Sequence, residues 1–129
     1  MASIFTKIIN KEIPCYKVAE TENCLAFLDI NPNAEGHTLC IPKKEIDNLF
    51  DLDTELYSEL MVFSKKVAKA SIKAVPCERI AMSVIGLEVP HAHVHLIPIN
   101  EMKDITFRNK KTFSEREFIN ITDKIKACF

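Results

Sequence analysis

The stretch His91-Ala92-His93-Val94-His95-Leu96-Ile97-Pro98-Ile99 alternates imidazoles with small or apolar side chains. A β-strand turns successive side chains to opposite faces, so this period of two puts His91, His93 and His95 on one face and Ala92, Val94 and Leu96 on the other. The apolar face anchors the strand, and the other presents three imidazoles. Upstream, Arg79 to Ile85 reads as a second strand, joined to the first through Gly86-Leu87-Glu88-Val89-Pro90, a loop too long for a two-residue hairpin. Earlier still, Tyr16 to Glu20 and Cys24 to Ile30 read as a hairpin turning at Thr21-Glu22-Asn23, and His37 to Ile41 reads as a strand that Pro42 closes.

Between these strands lies one long helical pattern. From Thr54 to Val75, Leu56, Leu60, Phe63, Val67, Ala70 and Ala74 form one apolar stripe, with Asp53 placed to cap the helix and Pro76 to end it. Glu55 and Glu59 lie near its positive end and Lys65, Lys66, Lys69 and Lys73 towards its negative end, as the macrodipole favours, so the lysines read as a solvated face rather than a phosphate patch. A short helix opens the chain after Ser3, with Ile4, Phe5 and Ile8 on one face and Pro14 as its stop. A last helix starts at the capping box Ser114-Glu115-Arg116-Glu117 and carries Phe118, Ile121, Ile125 and Cys128 on one face. Consecutive short strands with helices gathered to one side specify an antiparallel α+β domain, and no Gly-rich phosphate loop supports a βαβ alternative.

The size of the chain, 129 residues, fits a single domain spanning 1–129, undivided by any linker or repeat; its glycines stand only at 36 and 86. With 47% hydrophobic and 27% charged residues the composition excludes disordered and collagenous classes. A net charge of −1 offers no bulk field for nucleic acid or anionic lipid, while a local phosphate site stays open. Neither a membrane span nor a signal peptide is expected. Cysteines at 15, 24, 40, 77 and 128 form no Cys-x-x-Cys and no even framework, which suits buried small hydrophobes in a reducing cytoplasm.

Three imidazoles at this spacing cannot all be charged at little cost near neutral pH, so a neutral one remains as nucleophile, base or ligand. Two chemistries compete with a merely structural role. Three histidines can hold a metal such as zinc with an open position, although a third ligand from one straight strand reaches badly. Alternatively, one imidazole attacks phosphorus while its neighbours fix its tautomer, stabilise phosphoryl oxygens and protonate the leaving group; geometry leans this way.

The run His91-Ala92-His93-Val94-His95-Leu96-Ile97 matches the His-φ-His-φ-His-φ-φ signature, and on it the chain resembles the histidine triad (HIT) nucleotide-binding proteins. The resemblance extends through Ile4-Phe5-Thr6-Lys7-Ile8-Ile9, Glu12-Ile13-Pro14, Ala26-Phe27-Leu28-Asp29-Ile30-Asn31-Pro32 and Gly36-His37-Thr38-Leu39-Cys40-Ile41-Pro42-Lys43. It thus covers about residues 3–99 and leaves the tail from Phe107 onward (107–129) much less diagnostic. The resemblance implies a HIT-like fold with a five-stranded antiparallel sheet, a homodimer in which two sheets join, and a purine nucleotide or nucleoside phosphoramidate bound beside each triad, with no cofactor. By the same matching His93 is the nucleophile, His95 and His37 meet phosphoryl oxygens or the leaving group, and His91 orients His93. Asp29 takes the ribose hydroxyls, and Ile4, Phe5, Ile8, Phe27 and Ile30 wall the base pocket. The activity implied is that of a nucleotidyl hydrolase or transferase acting on phosphoramidates or mixed anhydrides, with dinucleoside polyphosphate hydrolysis or nucleotide binding without turnover as alternatives.

The chain departs from the pattern in two places. Where many bacterial relatives carry a zinc-binding Cys-x-x-Cys and a histidine after Pro-Lys, it has Ser3, Thr6 and Glu45, so no metal is expected. Before the triad, where relatives have an amide and a hydroxyl, a shortened loop offers Leu87 and Glu88, with Ser83 near an expected Asn.

Overall fold

Strands β1 (Lys17–Glu20), β2 (Cys24–Leu28), β3 (Thr38–Pro42), β4 (Arg79–Ser83) and β5 (Val94–Ile99) form one sheet in the order β1-β2-β3-β5-β4, every neighbouring pair antiparallel. The structure, a computed structural model, describes residues 2–129. Helices α1 (Ile4–Ile9), α2 (Thr54–Ala74) and α3 (Glu115–Lys126) accompany the sheet, α2 crossing from β3 to β4. Among the described residues no helix is long and apolar enough to cross a membrane.

The sheet's two faces carry different tasks. On one, Cys24, Ala26 and Leu28 of β2, Cys40 of β3 and Val94 and Leu96 of β5 pack with Leu60, Phe63, Val67 and Ala70 of α2 and with Phe118, Ile121 and Ile125 of α3. That is the core predicted from the two helical stripes, and each large aliphatic or aromatic side chain buried there contributes about 1.5–3 kcal/mol. On the other face Leu25 and Phe27 of β2 and Leu39 and Ile41 of β3 meet Phe5 of α1. Directly opposed residues share a face, so the register Phe27↔Leu39↔His95↔Ser83 runs as one row across this second side of the sheet.

Caps stand where the sequence places them. Ser3, Asp53 and Ser114 accept backbone N–H groups of α1, α2 and α3, and the Ser114–Glu117 capping box is closed in both directions. The α1 helix ends at Asn10, four residues before Pro14, and the chain turns at Lys11 with φ 64°. Every strand departs from its expected bounds at one end or both: β1 begins at Lys17 rather than Tyr16, and β3 runs Thr38–Pro42 rather than His37–Ile41. β4 stops at Ser83 and leaves Val84 and Ile85 exposed. β2 stops at Leu28: Asp29 N–H still bonds the His37 carbonyl in register, but His37 N–H turns to the carbonyl of Ala34 instead of returning the bond. β5 begins only at Val94, because His91 N–H binds Val89 and Ala92 N–H binds the carbonyl of Ile46 rather than a strand partner. Hence His91 and His93 sit on an irregular approach to the strand, and residues 91–98 are all buried.

Gly36 shows why a glycine precedes His37. Its φ is +87°, and a Cβ there would lie 2.8 Å from Val75 Cγ2, so a side chain would be strained both in backbone and in space. All five cysteines are free; Cys24 and Cys40 are buried, and burial pushes their thiols up to about 11 and about 12, while Cys15, Cys77 and Cys128 are only half-buried.

Candidate active site

A cleft of about 520 Å³ opens on the second face of the sheet. It brings together Ile4, Phe5 and Ile8 from α1, Phe27 from β2, Asp29 and Ile30 from the turn after β2, and His93 and His95. The remaining two histidines lie behind this surface: His37 is 1% and His91 0% exposed, and neither lines the cleft. The alternation that puts three imidazoles on one presented face therefore fails for His91, whose backbone has left the ladder.

Hydrogen-bond partners fix the tautomers. The backbone N–H of Asn33 donates to His37 Nδ1 at 2.9 Å, so the proton of a neutral His37 is on Nε2. That nitrogen lies 3.0 Å from His95 Nδ1 and 3.6 Å from an Asp29 oxygen, and donation to His95 leaves the His95 proton on Nε2, on the cleft side. His91 Nε2 donates to the carbonyl of Pro42 at 2.8 Å, and its Nδ1 accepts from the Ser3 hydroxyl at 2.9 Å. Finally, His93 Nδ1 donates to the carbonyl of His91 at 2.7 Å. In the neutral ring the lone pair is thereby placed on the other nitrogen, Nε2. It is the backbone of His91, and not its imidazole, that orients His93.

Burial sets the charge state. Desolvation first, then the neighbouring His95 and Lys110, hold His37 down at about 3. Desolvation, then His93 and Lys110, hold His95 at about 4, and desolvation also lowers His91. Asp29 is raised by burial against the opposing hydrogen bond from Asn31 N–H.

The ligand atoms of Asp29, His37 and His95 lie within 4.8 Å of one another, close enough to suggest a metal site. The hydrogen bonds argue otherwise. His37 Nδ1 is committed to Asn33 N–H and Nε2 keeps the proton, so the lone pair a metal would need is absent. Nor do the residues at the zinc positions of relatives fit a metal. Glu45 Oε1 accepts from Ser3 N–H and from the Thr6 hydroxyl, both at 2.6 Å, while the Ser3 hydroxyl spans Thr6 N–H and His91 Nδ1. Those polar atoms satisfy one another and replace thiolate and imidazole ligands with a hydrogen-bonded clasp.

Comparison with known proteins identifies the family. A family model described as HIT domain matches residues 10–102. The chain belongs to the HIT family. Relatives of this HIT protein include adenosine 5′-monophosphoramidases of Saccharomyces cerevisiae, 42% identical over 79% of this chain and 65% of theirs, and of Schizosaccharomyces pombe, 40% identical over 76% and 74%. A Hit-like protein of Bartonella henselae, described as involved in cell-cycle regulation, superposes with a TM-score of 0.88 at 36% identity, covering 98% of this HIT chain and 96% of its own.

Sequence reasoning missed part of the cleft wall. Thr106, Phe107 and Lys110 line it from the segment after the 3-10 turn Met102–Ile105, and Ile85 and Val89 line it beside Leu87 and Glu88, the two residues already singled out in the loop before the triad. Phe107 has no periodic partner to announce it; the single local hint is a run of Lys and Arg without a helical or strand pattern.

Proposed function

We propose that the protein is a nucleoside phosphoramidate hydrolase that works through a nucleotidyl-His93 intermediate, with a purine nucleotide seated in the cleft. The observation that carries this reading is the His93 Nδ1–H bond to the His91 carbonyl, which in the neutral ring leaves the lone pair on the opposite nitrogen, where a nucleophile needs it. The names of the yeast relatives support the substrate class.

In the first step the lone pair of His93 Nε2 forms a bond to the α-phosphorus. The P–N bond to the leaving group breaks with its electron pair on nitrogen. One proton, drawn from solvent through His95 as the anionic substrate raises its low pKa, makes that nitrogen a neutral amine. In the second step water attacks phosphorus, the P–N bond to His93 breaks, and water's proton restores the one consumed. Asp29 takes the ribose hydroxyls, and His37 holds the tautomer of His95 from behind. Two copies would join their sheets along β4, an edge strand on which Met82 is exposed and after which Val84, Ile85 and Leu87 are exposed.

The test is quenched-flow incubation with adenosine 5′-phosphoramidate labelled at phosphorus, followed by peptide mapping under alkaline conditions. Label on His93 and release of adenosine monophosphate are expected. Label on His91 or His95 refutes the assignment; tight binding with no monophosphate formed would leave a nucleotide-binding protein without turnover.

A further inference from the structure

Rings mark out the length of the cleft. Phe27 and Phe5 have centroids 5.5 Å apart, Phe5 and His93 5.1 Å, His93 and His95 4.9 Å, and His95 and Phe107 5.0 Å; the Lys110 ammonium lies 4.7 Å from the centroid of Phe107. The apolar walls gather at one end of this row, the reacting imidazoles stand in its middle, and Phe107 with Lys110 forms the other end. With the base against the apolar walls and phosphorus at His93, a group leaving on the side of phosphorus away from His93 would lie towards His95, Phe107 and Lys110, while Asp29, which Lys110 also faces, holds the ribose beside them.

Charge sharpens the assignment. The cleft is lined by the carboxylates Asp29 and Glu88, and Lys110 is the only lysine or arginine among its described lining residues. Without substrate His37 and His95, held at about 3 and about 4, carry no positive charge near pH 7. Lys110 is therefore the one permanent cation facing the substrate. Its segment is fastened: Lys111 N–H donates to the Pro32 carbonyl at 2.8 Å, Asn33 Nδ2 donates to the Asp104 carbonyl at 3.0 Å, and Phe107 is kept at φ 61°, a left-handed conformation rare for a bulky residue. The turn bearing His37 and the wall bearing Phe107 and Lys110 are thus tied together.

We propose that Phe107 and Lys110 form a leaving-group subsite selecting conjugates whose leaving group is anionic, a carboxylate-bearing amine or a phosphate. This rests on the nucleotidyl-transfer reading above. Phe107 supplies a flat surface for the leaving group's carbon skeleton, and Lys110 meets its negative charge.

The experiment uses adenosine 5′-phosphoramidates of a neutral, a cationic and a carboxylate-bearing alkylamine, with adenosine 5′-diphosphate as the phosphate arm, compared by kcat/KM. The carboxylate conjugate should exceed the cationic one by about tenfold in the native protein, the order expected of one ion pair in a partly wetted cleft. Taking each protein as its own reference, Lys110→Gln should bring that ratio near one and Lys110→Glu should invert it. Added salt should shrink the native preference. Turnover of adenosine 5′-diphosphate identifies phosphate as the anion, and turnover of the carboxylate conjugate alone identifies an amino acid. A ratio unchanged in both folded variants overturns the subsite. Absence of turnover on every conjugate, the neutral one included, instead overturns the nucleotidyl-transfer reading.

Discussion

On the proposed mechanism a proton on the wrong nitrogen of a neutral His93 would disable the site, and one carbonyl opposes it. Because the His91 carbonyl accepts from His93 Nδ1 at 2.7 Å, His93→Ala should abolish turnover while nucleotide affinity and fold survive, as steady-state kinetics beside equilibrium binding would show. His95→Ala or His37→Ala should leave residual activity, each losing on the order of 2–4 kcal/mol of transition-state stabilisation in kcat. The same buried pair makes stability depend on pH. In the unfolded chain both imidazoles protonate as pH falls through their ordinary value of 6.5, whereas the folded chain keeps His37 neutral down to about 3 and His95 to about 4. The unfolded state then binds more protons, so stability is full above about pH 6.5 and declines as pH falls towards 4; between pH 7 and pH 5 the loss should be about 2–4 kcal/mol. Urea midpoints across this range check it, and His37→Gln should flatten the slope. An equal slope in the variant would place the pH dependence elsewhere.

At the scale of elements, α1 is the piece that ties fold to site. Six residues long, it is too short to be stable alone, and it is held by Glu45 gripping Ser3 N–H and the Thr6 hydroxyl while Phe5 packs on Phe27 and His93. Ser3→Ala removes the helix cap and the donor to buried His91 Nδ1 together. The cap is worth about 1 kcal/mol and an unpaired buried acceptor costs about 1–3 kcal/mol, so a loss of about 2–4 kcal/mol is expected in chemical denaturation. Glu45→Ala should weaken the helix's attachment and raise KM through the displaced wall, which the isosteric Glu45→Gln should partly rescue because its amide oxygen still accepts. A domain held in this way has no need of a structural metal. Its melting temperature should not change on treatment with a chelator, and stoichiometric zinc lost together with stability would end this account.

For the molecule as a whole, the legible part was what repeats. The stripe on α2, the caps at Asp53 and Ser114 and the alternation along the strands each follow from local chemistry, so the α+β sheet was open to reading. Its order was not, since β5 inserts between β3 and β4 and no local pattern records which strands pair. The imidazoles stood out by clustering, but alternation misplaced His91, because Ala92 N–H finds Ile46 in a loop far along the chain. Phe107 and Lys110 were silent for the same reason: tertiary ties to Pro32 and Asn33 put them at the cleft. Cleft composition then determines selectivity. Ile4, Phe5, Ile8, Phe27 and Ile30 offer surface without hydrogen-bonding edges, so on the proposed reading they should discriminate bases poorly, whereas loss of the proposed hydrogen bond to ribose would leave a polar group unpaired and should cost about 1–3 kcal/mol. Adenosine and guanosine monophosphates should accordingly bind within about tenfold of each other by calorimetry, a methylene-scale difference. Asp29→Ala should weaken both equally and leave inorganic phosphate unaffected; discrimination between the bases by several orders of magnitude would mean that a polar group outside these five walls reads the base edge.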